Sequence, residues 1–152
     1  MRSDAKIVDS VMSDFCYKRS YFIMLLKHAV MEKIGASTEG YSIDFPDWSD
    51  PDKYYHFEGV KLVQFSTVSD WEDVVLVSQK EFLEICLYYI GEFKKAHPEE
   101  KDPLIPLAEE KLQKDLAAMP SQTLSKPLSA GNLPQRKLSL FKRLVLKLSK
   151  VF

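Results

Sequence analysis

The chain has 152 residues, 45% hydrophobic and 12% aromatic, which is enough for one packed domain and excludes disorder throughout. Its formal net charge of −1 hides a division: residues 121–152 hold seven Lys or Arg and no acidic residue, whereas residues 1–120 hold 14 basic residues against all 22 acidic ones, a net of −8. Two unpaired cysteines, Cys16 and Cys86, exclude a disulfide framework and a cysteine-based zinc site, and the longest apolar run, Tyr21 to Leu26, is far below the roughly 20 residues a membrane span needs.

The N-terminus places Asp4, Asp9 and Asp14 where a secretory leader would be apolar, so a cytoplasmic protein is expected. Ser3 is positioned to cap a helix from Asp4, and Ile7, Val8, Val11, Phe15, Phe22, Leu25, Leu26, Ala29, Val30 and Ile34 recur at spacings of three, four or seven. This predicts an apolar helical face, a break near Lys18 to Ser20, and an end at Gly35, where glycine accepts left-handed backbone. Residues 36–54 read as a loop, because Gly40, Pro46 and Pro51 interrupt any period.

Strands are predicted over 55–67, from Phe57, Val60, Val63 and Phe65, and over 71–77, ending in Val74-Val75-Leu76-Val77, with a hairpin turn between them. Ser78 with Glu81 three residues on is a capping-box pattern, so a helix starts at Gln79, presents Phe82, Ile85, Cys86, Tyr89 and Phe93, and stops near His97 before Pro98. Pro103 to Pro106 open another helix, which carries Leu107, Ala108, Leu112, Leu116 and Met119 and is closed by Pro120. The fold class expected is α+β, with a small antiparallel sheet packed against several helices in an acidic domain over 1–120. A flexible linker over 121–135 and a basic amphipathic helix over 136–152 should follow, the latter with Leu138, Phe141, Leu144, Val145, Leu148 and Phe152 at helical spacing.

Two acidic-aromatic groups are the candidate partner-binding site. The first holds Asp44, Asp47, Trp48, Asp50, Asp52, Tyr54 and Glu58; the second holds Asp70, Trp71, Glu72 and Asp73. Rings supply desolvated anchors while carboxylates select and orient a basic partner. Two simpler readings stand beside this one. Phe45 and Trp48 could anchor a surface loop whose aspartates keep it soluble, and Asp70 could serve turn geometry alone. Calcium fits poorly, since the run lacks the central glycine and terminal glutamate of an EF-hand loop.

No metal site, cofactor site or catalytic residue is expected. His28, His56 and His97 have no ligand spacing, and five scattered glycines leave no phosphate cradle. His97 is expected to meet the terminal carbonyls of its helix. A small hydrolase using His56 or Cys86 is one alternative. Another is a peripheral membrane or scaffold protein directed by the basic tail, which could also fold back on the acidic body.

With the acidic-aromatic loop, the Phe57-Glu58-Gly59-Val60 strand start and the segment Glu72-Asp73-Val74-Val75-Leu76-Val77-Ser78, the chain resembles immunity proteins of bacterial contact-dependent growth inhibition systems, in particular the branch that neutralises ribonuclease toxins. The resemblance covers about residues 1 to 118. It implies a non-enzymatic cytoplasmic antidote that binds one cognate toxin nuclease domain, covers its active site and does not itself bind nucleic acid. The charge of the body agrees independently, because an acidic protein can occupy a surface built to hold phosphate.

Overall fold

In the computed structural model, which describes residues 3–66 and 72–120, the first helix, α1 (Asp4–Tyr17), turns Ala5, Ile7, Val8, Val11, Met12 and Phe15 inward. Ser3 takes the cap position, although its side chain makes no capping bond. Lys18 leaves helical backbone at φ −112° and ψ 142°, and α2 (Arg19–Met24) restarts at once, so the break falls where expected.

The next segment, Leu25–Glu32, is π-helical and ends at Lys33, whose φ of 55° is left-handed. The helix therefore stops two residues before Gly35. Because the Ile34 amide donates to the His28 carbonyl across a wide turn (2.9 Å), Ile34 leaves the apolar stripe and is 47% exposed. A stripe drawn at 3.6 residues per turn cannot anticipate that, since π turns use a longer repeat.

Residues 36–54 are not all loop. They contain β1 (Ala36–Ser37) and β2 (Tyr41–Asp44), which pair antiparallel with Ser37 opposite Ser42. These strands are too short and too rich in Ser and Asp to print a period. The strand expected from Tyr55 begins later: Lys53–Tyr55 forms a 3₁₀ turn, and β3 runs Val60–Phe65. With β4 (Glu72–Val77) the sheet is an antiparallel meander ordered β1-β2-β3-β4, its register fixed by Asp44 opposite Lys61 and by Lys61 opposite Leu76.

Alternation along the strands decides the two faces. Ile43, Val60, Leu62, Val75 and Val77 point into the core, where α1 packs on β2, β3 and β4. Behind α1, α3 (Gln79–Ala96), α4 (Leu104–Ala118) and the π-helical segment close the core, with Phe22 stacked on Phe93 at 3.7 Å. α3 and α4 follow their predicted limits closely.

The capping box at α3 is formed: the Glu81 amide donates to Ser78 Oγ at 3.1 Å. Ser78→Ala should cost about 1 kcal/mol, read as a lower thermal midpoint. A loss near zero would mean that packing alone starts α3.

Among the described residues no helix is long and apolar enough to cross a membrane. The expected hairpin turn with Asp70 and Trp71, the linker over 121–135 and the basic helix over 136–152 lie outside the described residues.

Candidate partner-binding face

The loop between β2 and β3 is built by its aspartates. Asp47 Oδ1 accepts the Ser49 amide at 3.0 Å, Asp50 Oδ1 the Asp52 amide at 2.8 Å, and Asp52 Oδ1 the Tyr54 amide at 2.9 Å. Three side chains thus shape the turns, each through one oxygen, because Asp bonds readily to the amide two residues on, and backbone turns from Asp47 to Asp50 and from Asp52 to Tyr55 accompany two of them. Hydrogen bonds from Ser49 also hold the Asp47 carboxyl below the usual carboxylate range. The loop-anchor reading is correct for Phe45, which meets Phe82 edge-on at 5.6 Å. It does not describe Trp48, which is 65% exposed and rests on the His56 ring at 5.2 Å.

This loop folds back over half of the outer sheet face. The Tyr54 hydroxyl donates to Asp44 Oδ2 at 3.0 Å, and Lys61 Nζ donates to the Tyr54 carbonyl at 2.5 Å. Lys61 Nζ also lies 3.7 Å from the Tyr54 ring centroid and 4.4 Å from that of Phe57, a cation held between two aromatic faces. Ser42, Phe57 and Val63 are buried there. The β4 half stays bare: Phe65, Val74 and Leu76 are 41%, 39% and 48% exposed.

The two acidic groups meet only in part. Glu72 is exposed on the same outer face as Asp44, and its charge reaches Tyr54, whose phenol is pushed up by burial first, then by Asp44 and Glu72. Asp73, opposite Gln64, alternates to the face that carries Val75 and Val77. Asp44, Asp50 and Tyr54 are half-buried, and Asp47, Asp52 and Glu58 exposed. The exposure of Phe65, Val74 and Leu76 and the enclosure of Lys61 were not anticipated from the sequence. The run Val74 to Val77 carried the signal, since four apolar residues in a strand must load both faces.

Ion pairing is one-sided. On the helical side Arg19 holds Glu100 and Asp102 at 3.0 and 2.8 Å, Lys94 holds Glu109, Lys114 holds Glu110, and Asp115 lies between Lys33 and Lys111. Among the described residues no such pair reaches Asp44, Asp47, Asp50, Asp52, Glu58 or Glu72. Asp4, Asp9 and Asp14 on α1 and Glu84 on α3 are also outside any ion pair among these residues, so unpaired carboxylates lie on both sides, with a dense run of them on the β2–β3 loop.

The remaining candidates for chemistry are dispersed. His56 Nε2 is spent on the Asp50 carbonyl at 2.6 Å. The ring of His97 meets Phe93 and Glu99 instead of terminal carbonyls. Among the described residues no group of three His, Cys, Asp or Glu could hold a metal. Burial raises the Cys16 thiol to about 12 and Cys86 well above its usual value. Both thiols should resist a disulfide reagent in the folded protein at mildly alkaline pH and react at once in guanidinium; prompt native labelling of Cys86 would show that α3 opens.

Residues 4–105 match the family model described as CDI immunity protein. No curated protein matches the chain.

Proposed function

The chain belongs to the CDI immunity protein family, whose members neutralise a cognate toxin, and from that membership we propose that this one inhibits a nuclease, most specifically a ribonuclease, by covering its active site. The proposal is supported by one observation above all: Asp44, Asp47, Asp50, Asp52, Glu58 and Glu72, none of them in an ion pair among the described residues, crowd together on the β2–β3 loop and the outer sheet face. A nuclease must hold phosphate with basic groups. An anionic surface carrying an exposed Trp48 can take the place of RNA there, with the ring as anchor and the charges as guides.

In this reading Asp44, Asp47, Trp48, Asp50, Asp52, Tyr54, Glu58, Glu72 and Asp73 contact the toxin, together with Asp70 and Trp71, which lie outside the described residues. Tyr54 serves by position: its hydroxyl bond to Asp44 and its carbonyl bond to Lys61 hold the loop against the sheet. The protein acts by occupancy and makes or breaks no bond.

The test uses the cognate toxin domain, to be sought first in the gene immediately upstream of this chain's own. That domain should cleave RNA in vitro, and an equimolar amount of the full chain should abolish cleavage. A toxin domain that binds the chain but degrades no nucleic acid would overturn the nuclease assignment and leave the immunity role standing.

A further inference from the structure

We propose that residues 136–152 of this chain dock in cis on the outer sheet face, beside the β2–β3 loop. Charge is the first argument. The segment carries six Lys or Arg and no acidic residue, and the face it would meet carries carboxylates without a cation partner among the described residues. Shape chemistry is the second. Phe65, Val74 and Leu76 leave an apolar strip bare next to Glu72, while Leu138, Phe141, Val145, Leu148 and Phe152 recur at spacings of three or four between the basic residues. An amphipathic segment with basic flanks matches an apolar strip with an acidic border, whereas α4 offers a single exposed large apolar residue, Leu107, among carboxylates already held by Lys94 and Lys114.

Reach is the third argument. The domain ends at α4, on the layer away from this face, and a body of about 120 residues is roughly 35 Å across. The fifteen residues 121–135 can span about 50 Å when extended, so the tether permits the contact. Tethering also sets the strength: an attached segment meets its site at an effective concentration of about a millimolar, so weak intrinsic affinity suffices for high occupancy. If the toxin uses this face, as proposed above, the tail is a built-in competitor that the toxin must displace; the docking itself does not depend on that reading.

The experiment needs no toxin. Zero-length carbodiimide crosslinking of the full chain, mixed from isotope-labelled and unlabelled protein, should join Lys142, Lys147 or Lys150 to Asp47, Asp50, Asp52, Glu58 or Glu72 within one chain. Yield should fall several-fold in high salt, because screening shortens with ionic strength. In parallel, the methyl resonances of Val74 and Leu76 should shift when the six tail cations are changed to Gln, a replacement that leaves the folded body untouched. Crosslinks to Glu84 or Glu110 in equal yield, crosslinks only between labelled and unlabelled chains, or unmoved methyls with no tail crosslinks would each overturn the proposal. None of these outcomes bears on whether the cognate toxin is bound, which is scored separately by RNA cleavage.

Discussion

Replacing Asp47, Asp50 and Asp52 together by Asn should weaken binding of the cognate toxin domain about a hundredfold, while Glu109→Gln with Glu110→Gln changes it little. Asn is the informative substitution because each aspartate uses one oxygen to accept an amide two residues on, and an amide side chain keeps that acceptor while removing the charge. Reversal to Lys would break the turns as well and confuse charge with geometry. At about 1 kcal/mol for each lost charge facing a basic surface, three losses give about 3 kcal/mol, or roughly two factors of ten. Glu109 and Glu110 already face Lys94 and Lys114 and contribute little outward field. The loss should appear mainly in the association rate, and the salt dependence of binding should flatten. Equal losses at both places, or a triple variant that binds like the parent, would reject the acidic loop as the epitope.

How much of this was legible beforehand follows from what each residue's neighbours demand. The capping box at Ser78 and the prolines around α4 act locally, through groups a few residues away, and the helix limits they set are those observed. The turn-forming role of Asp47, Asp50 and Asp52 is equally local, yet it was read only as charge. Strands β1 and β2 needed partners across the sheet to exist at all, so their own residues did not reveal them. The position of Lys61 depends on Tyr54 and Phe57 closing over it from a loop, and the bareness of Phe65, Val74 and Leu76 depends on that loop stopping short of β4. No pattern along one strand encodes where another segment ends. The split of Glu72 from Asp73 is simpler: two adjacent strand residues must face opposite ways, which the strand prediction already implied.

Among the described glycines, Gly59→Ala should be the most damaging, lowering stability by about 3 kcal/mol and the thermal midpoint by roughly 10 °C. Gly59 has a φ of 88°, a backbone that L side chains rarely adopt, and an added Cβ would stand 2.1 Å from the Val77 carbonyl oxygen. That oxygen cannot step aside cheaply, because Val77 is paired with Val60 and its neighbour Ser78 caps α3. The strain of left-handed backbone contributes about 1 to 2 kcal/mol, and opening the β3–β4 pair supplies the rest. Gly91→Ala is the matched control: it lies inside α3 with nothing within 4 Å of the added carbon, so it should stabilise by up to about 1 kcal/mol. The pair also bears on the proposed binding face. Gly59 is where the β2–β3 loop hands the chain to β3, so a folded fraction of Gly59→Ala should lose the Lys61 contact with Tyr54, and with it the closed loop that presents the aspartates. Unfolding midpoints and toxin affinity should therefore fall together for Gly59→Ala, and neither should fall for Gly91→Ala; a Gly59→Ala protein of parental stability would mean that the loop meets the sheet by another path.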